Sequence, residues 1–412
     1  MESVPKSLRL QIGIFGRTNV GKSSFLNLIT SQDVSIVSPH PGTTTDVVEK
    51  VMEFRPVGPV VFLDTAGVDD ESALSGDRAA RTAAVFNRAD VFVVLTEEGQ
   101  WGGYEDALSK EAGKRETPLV VVVNKTDING LTDGFRQRLS GITPHIMACS
   151  CAGAQSGKGT GGTEREAVIN TFKEILVKCA SGESAQSHVI VSDLIPPGGL
   201  AILVVPIDSG APKGRLILPQ AQTIRDVIDG TGVVMVVRED EYEAAFLTLN
   251  KRPDIVICDS QVVEMVAAHT PPDVQLTTFS ILFARLKGDL RELERGAAAI
   301  GKLKSGDRVL IAEACAHHAA EDDIGRIKIP RWLKEKTGLD LQIDVYGGRD
   351  YPKDLERYAL VIHCGGCMLT RREMLARIRE ARDKNVPITN YGMAISYFKG
   401  VFGRVLEPFA GN

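Results

Sequence analysis

Two groups of residues in this sequence have the types and spacing to do chemistry. The first is GRTNVGKSS, residues 16–24, which fits the G-x-x-x-x-G-K-[ST] phosphate loop. It follows the apolar run QIGIF and opens the stretch SSFLNLI, the strand-then-helix setting such a loop requires. Gly16 and Gly21 let backbone N–H groups turn inward around a β-phosphate, and the helix start from Val20 to Ser24 adds positive potential. Lys22 is placed to reach the β- and γ-phosphates, and the Ser23 hydroxyl to ligate Mg2+. The second group is HCGGC, residues 363–367, together with CAHH at 315–318. Two thiols at this spacing serve as a redox dithiol, half of a zinc site or part of an iron–sulfur site.

Further motifs narrow the first group to a guanine nucleotide. DTAG (64–67) ends an apolar run one βα unit later; there Asp64 holds Mg2+ through water and the Gly67 N–H senses the γ-phosphate. PGTTTD (41–46) supplies a switch threonine, Thr44, as a further Mg2+ ligand. NKTD (124–127) ends another apolar run. Asp127, an acceptor only when ionised, suits the N1–H and 2-amino donors that guanine presents and adenine lacks. Asn124 braces that loop, Lys125 lies along the base, and a backbone N–H at Ser150 or Cys151 in CSCA is expected to meet guanine O6. Val68 follows DTAG and cannot orient a water, so unaided hydrolysis of GTP to GDP is expected to be slow. The order and spacing resemble translation-factor-class GTPases. Asn19 in the loop, paired with Thr44, resembles the tRNA-modification and ribosome-assembly GTPases related to TrmE and Era. For Asn19 that resemblance implies K+ binding in place of an arginine finger, and it implies pairing of GTPase domains.

The thiols leave more alternatives. EACAHH follows the run DRVLIA, and HCGGC follows YALVI. In a parallel sheet both would emerge at the carboxyl edge, where ligands bind, so Cys315 can face Cys364 and Cys367. Gly365 and Gly366 let the backbone curl so that both sulfurs point to one centre. Three thiolates are closed to a zinc site by His317 or His363, or carry a [4Fe–4S] cluster with one iron left open; buried structural cysteines are the third reading. For a fourth ligand, His363 and Asp322 rank together. His363 is otherwise a group that supports its neighbour, and EDD (321–323) is otherwise an acidic helix start.

These residues need a frame to hold them. The chain has 412 residues, a formal charge of −5, 43% hydrophobic and 25% charged residues, which fits a globular protein of several domains. The mild acidity is a weak argument against nucleic-acid binding, and it leaves room for a local basic face. Seven cysteines are too few and odd in number for a disulfide scaffold, so a reducing cytoplasm is expected. No leader and no apolar run long enough for a membrane span is read in the sequence. Apolar runs alternate with amphipathic stretches in three blocks, giving an α/β fold class. A P-loop domain over 1–180 precedes a middle α/β domain over 189–275 and a doubly wound domain over 279–412. FSILFARLKGDLRELERGAAAIGKL (279–303) has helical spacing throughout and is expected to be one long helix. The arginines of 371–382 are expected to line a solvated helix face.

Taken whole, C-x-H at 315–317 and H-C-x-x-C at 363–367, downstream of a TrmE-like GTPase domain, resemble the [FeFe]-hydrogenase maturation GTPases, the HydF family. The resemblance covers essentially the full chain. It implies a [4Fe–4S] cluster on Cys315, Cys364 and Cys367 and a dimerising middle domain. It also implies a scaffold role: carrying the diiron subcluster precursor and delivering it to apo-[FeFe]-hydrogenase, with two radical-SAM maturases as further partners. An RNA-associated GTPase with a structural zinc domain is the rival reading.

Overall fold

The computed structural model describes residues 9–30, 48–55, 57–64, 77–151, 161–181, 189–207, 216–314, 323–348, 351–352 and 354–410. The chain falls into two compact units, Met1–Ser187 and His188–Asn412.

In the first unit, six strands order as β2-β3-β1-β4-β5-β6: β1 (Leu10–Gly16), β2 (Val48–Phe54), β3 (Gly58–Asp64), β4 (Val91–Thr96), β5 (Leu119–Val123) and β6 (His145–Ala148). All neighbours are parallel except the β2–β3 pair. Burial on both faces explains why β4 and β5 read as unbroken apolar runs. Alternate residues serve opposite faces: Val120 and Val122 of β5 join Phe25 and Phe172 on one side. Val121 and Val123 join Phe92 and Trp101 on the other. Helices α1 (Lys22–Thr30), α2 (Asp77–Arg88), α3 (Gly103–Lys114), α4 (Asp133–Ser140) and α5 (Gly161–Ser181) cover the sheet. The edge strand β2, VEKVMEF, lacks a clean apolar run, and sequence reasoning missed it.

The second unit holds two four-stranded parallel sheets wired alike. One orders β8-β7-β9-β10, from β7 (Leu200–Val204), β8 (Val233–Val237), β9 (Ile255–Cys258) and β10 (Gln275–Thr278). The other orders β12-β11-β13-β14, from β11 (Arg308–Ala312), β12 (Gln342–Tyr346), β13 (Leu360–His363) and β14 (Ile388–Asn390). Helices α6 (Leu218–Asp229), α7 (Tyr242–Leu247) and α8 (Val263–His269) belong to the first of these sheets. Between the sheets run α9 (Phe279–Lys287) and α10 (Leu290–Ala298). The single long helix expected over 279–303 is therefore two. Gly288 is extended, at φ −121 and ψ −158, and the Asp289 side chain caps α10 by accepting from Glu292 N. The second sheet adds α11 (Ile329–Thr337), α12 (Arg371–Asp383), α13 (Tyr391–Phe398) and α14 (Phe402–Leu406). One apolar core is continuous from Ile190 to Phe409 and includes residues of both sheets, such as Ile202 and Val361. No helix among the described residues is long and apolar enough to cross a membrane.

Candidate nucleotide site and sulfur edge

Strand β1 delivers Gly16, a turn follows, and α1 begins at Lys22. The Lys22 ammonium is buried and donates to the carbonyls of Gly16 and Arg17, both at 2.8 Å. Gly21 has φ +97, and a Cβ there would lie 2.2 Å from Asn124 Nδ2. Glycine is what lets the Asn124 amide donate to Val20 O at 2.8 Å. The Asn124 Oδ1 accepts from Cys151 N at 3.1 Å and from the Cys149 thiol at 3.8 Å. One buried amide thus ties the phosphate loop, the end of β5 and the segment after β6. The Cys151 N–H, expected to meet guanine O6, is used in this brace. The Cys149 and Cys151 sulfurs lie 3.9 Å apart, and their contact, with burial, pushes the Cys149 thiol up.

On the base side, Lys125 takes a left-handed φ of +57 and pairs with Glu97 at 2.6 Å. Asp127 is exposed and Ser150 half-buried. On the phosphate side, Ser23 is exposed in the first turn of α1, with Ser24 half-buried behind it; Asn19 is exposed at φ +63. Asp64 ends β3 next to β1. Burial pushes its carboxyl up against the pull of Lys22 and Lys50, and its Oδ1 is buried without a hydrogen-bond partner among the described residues. A buried acceptor in that state fits a hydrated divalent cation, so Asp64 and Ser23 are the described residues suited to hold Mg2+. Thr44 and Gly67 lie outside the described residues.

Sequence reasoning missed a clamp on this loop. Arg17 donates to both carboxylate oxygens of the buried Glu105, at 2.8 and 2.9 Å, and Glu105 also accepts from Gly102 N at 2.9 Å. This bidentate pair fastens the start of α3 to the phosphate loop. No spacing rule links positions 17 and 105.

The sulfur edge is built by two parallel strands. In the β11–β13 pair Ala312 faces His363, so both chains leave at the same edge. Cys364 N donates to Ala312 O at 2.8 Å, and Ala314 N donates to Cys364 Sγ at 3.1 Å. Cys315 itself, His317 and Asp322 lie outside the described residues, but the backbone entering Cys315 touches the Cys364 sulfur. Cys367 is exposed. Gly366 turns the loop at φ +60, and Thr370 and Glu373 close it with a capping box that starts α12. Among the described residues, no three His, Cys, Asp or Glu side chains are grouped to hold a metal ion. The two described sulfurs, with an N–H already aimed at one, are soft donors suited to zinc or an iron–sulfur cluster.

His363 is fully buried. Its Nδ1 lies 2.7 Å from Cys364 O and its Nε2 lies 2.7 Å from Arg377 Nη1. Burial and the Arg377 charge push its pKa down to about 3, so the ring is neutral: Nδ1–H donates to Cys364 O and Nε2 accepts from Arg377. Both ring nitrogens are taken, and His363 in this arrangement has none to offer an iron; it holds Cys364 from behind. Arg377 stacks 4.7 Å over the Tyr351 ring, and Arg371 donates to Leu286 O at 2.8 Å. The expected solvated arginine face is corrected at these two positions, because both half-buried guanidiniums turn inward to acceptors of the fold. A second missed residue is Lys287 at the end of α9. It is 3% exposed and donates to the carbonyls of Gly366, Cys367 and Leu369 at 3.3, 3.2 and 3.0 Å.

Comparison with known proteins places this geometry. Residues 190–288 match the hydrogen maturase F dimerization domain and residues 291–408 the hydrogen maturase F tetramerization domain, which together take up more than half of the chain. The chain belongs to the hydrogen maturase F family. Its N-terminal part, residues 11–125, matches the 50S ribosome-binding GTPase family, so the chain carries a GTPase domain, which implies binding of GTP and Mg2+. The tRNA modification GTPase MnmE of Synechococcus sp. (strain JA-3-3Ab) is 43% identical over 123 residues, 29% of this chain and 26% of MnmE. GTPase Der of Deinococcus deserti is 36% identical over 129 residues, 31% of this chain and 29% of Der. The chain thus spans about a quarter of the length of the curated relatives it matches. Among solved structures, an Aquifex aeolicus Era variant bound to GDP·AlF4− is 19% identical, with TM-score 0.31, over 55% of this chain and 92% of that one. The G domain of the T. maritima FeoB iron transporter is 19% identical, with TM-score 0.30, over 42% of this chain and 99% of that one.

Proposed function

We propose that this protein is a GTP-hydrolysing scaffold that holds a [4Fe–4S] cluster on Cys315, Cys364 and Cys367. It accepts the diiron subcluster precursor and delivers it to apo-[FeFe]-hydrogenase, working with two radical-SAM maturases. The observation that carries the reading is the Ala314 N–H to Cys364 Sγ contact at 3.1 Å. It sets Ala314, the residue before the first cysteine, against the sulfur of the second, in a chain of the hydrogen maturase F family. A cluster bound through three thiolates supplies one iron with an exchangeable position. The chain's own residues set the site: β11 and β13 end side by side, and His363 fixes the Cys364 peptide. With both His363 nitrogens engaged, Asp322 is the better of the two fourth ligands.

In this reading residues 1–180 form the switch, 189–275 the dimerisation domain and 279–412 the cluster domain. GTP turnover regulates loading or release and takes no part in cluster chemistry. Asn19 holds a K+ that stands in for an arginine finger. The homodimer forms through the middle domain, whose outermost strand β8 presents Val233 and Val236, 55% and 45% exposed. The setting is cytoplasmic.

Anaerobic purification followed by metal analysis tests this. Iron with acid-labile sulfide, lost on each single Cys→Ser change at 315, 364 or 367, is the expected result. Stoichiometric zinc, or iron indifferent to those changes, overturns it. Replacing K+ by Na+ is expected to slow GTP hydrolysis by about tenfold or more, within the roughly 10³–10⁵-fold that an arginine-finger charge contributes.

A further inference from the structure

The sulfur loop rests on a cation from outside its own sheet. Lys287 ends α9, the helix that follows β10 of the other sheet, and it lies within the segment matched by the dimerization domain. Its three N–H donors meet three carbonyls of the loop, those of Gly366, Cys367 and Leu369; three donors are all an ammonium has. The residue is 3% exposed, and among the described residues no carboxylate makes an ion pair with it. A buried ammonium without a counter-ion is costly. Burial pulls the Lys287 pKa down, and the neighbouring Cys367, Glu373 and Cys364 oppose that pull. A second cation, the half-buried Arg377, reaches the same loop through His363. Three thiolates on a dipositive iron–sulfur core carry a net negative charge, which deepens on reduction.

We infer that Lys287 is a positioning residue for the Cys364–Cys367 loop and supplies a fixed positive charge that favours the reduced state of the anionic sulfur centre held there. The inference rests on the cluster reading above. The loop's shape is set by hydrogen bonds from a helix of the other sheet, so movement of that helix is felt at the sulfurs. Lys287 is itself buried, so its charge is screened less than that of a surface lysine, even though Cys367 is exposed.

The test uses the full-length chain, purified anaerobically as wild type, Lys287→Met and Lys287→Gln. Iron and sulfide content, the rate of iron loss to a ferrous chelator, and the midpoint potential by EPR-monitored titration are read for each. Lys287→Met is expected to lose iron about tenfold faster, the scale of an outer contact to a metal ligand. Lys287→Gln keeps a donor without the charge; it is expected to hold its cluster at a lower midpoint potential. A wild-type potential in Lys287→Gln removes the electrostatic role, and wild-type iron retention in Lys287→Met removes the positioning role. Circular dichroism and GTP hydrolysis are expected to match wild type in both variants, and their loss would make Lys287 a general folding residue and overturn the inference. Absence of iron and sulfide from the wild type itself would sink the cluster reading instead, so the two failures are separable.

Discussion

The phosphate loop and the sulfur loop are both short turns leaving the carboxyl ends of parallel strands, yet they are made differently. The phosphate loop is contiguous. Strand, turn, lysine and helix start follow one another from Gly16 to Ser24, and the distant Asn124 and Glu105 only brace it from outside. The sulfur loop is a meeting point. Cys364 touches the backbone beside Cys315 across two strands, and its floor is Lys287 from an earlier helix. A site written in one stretch is held by local backbone geometry, whereas a site assembled across the sheet depends on every element that feeds it.

Substitutions can separate the two. The largest effect is expected from Lys22→Ala, because Lys22 alone carries the ammonium at the centre of the phosphate loop. GTP hydrolysis should fall by about 10²-fold or more, while iron content stays at the wild-type level; joint loss of both would show that the loops are not independent. Next comes Gly21→Ala. A Cβ at 2.2 Å from Asn124 Nδ2, on a left-handed backbone, is expected to cost about 3 kcal/mol in the first unit, read as a lowered unfolding midpoint and weakened GDP binding. Asn124→Ala follows, leaving Val20 O and Cys151 N without their partner. About 2 kcal/mol, or roughly 30-fold in nucleotide affinity, is the expected loss. Unchanged affinity would mean that the brace is decorative.

Gly366→Ala is the smallest. Its Cβ would meet the Met374 methyl at 2.4 Å, and that flexible tip can move, so the cost is mainly the left-handed backbone, about 1–2 kcal/mol. Iron retention should weaken without any change in GTP hydrolysis. An effect as large as that at Gly21 would show the sulfur loop to be as rigid as the phosphate loop, and the contrast drawn above would fail.

Much of this was legible in the sequence, for identifiable reasons. Runs such as LVVVV and LVIH become buried parallel strands because both faces are covered, leaving few polar positions to blur the signal. Strand β2 was illegible because one of its sides lies at the sheet edge and its residues mix polar and apolar. The region 279–303 reads as one helix because apolar spacing carries across Gly288. The break follows from the extended glycine and the Asp289 cap, whose effect periodicity does not register.

The sequence alone determined where phosphate, guanine and sulfur chemistry are to be expected, since turn glycines, a lysine and paired thiols declare themselves at fixed short spacings. The tertiary structure alone decided which neighbours those groups keep. It turned His363 inward onto Arg377, set Arg17 against Glu105, and placed Lys287 under Cys367. Those partners lie from 14 to 88 residues apart. At such separations, hydrogen bonds and buried charge are fixed by how strands and helices pack, and no local pattern carries them.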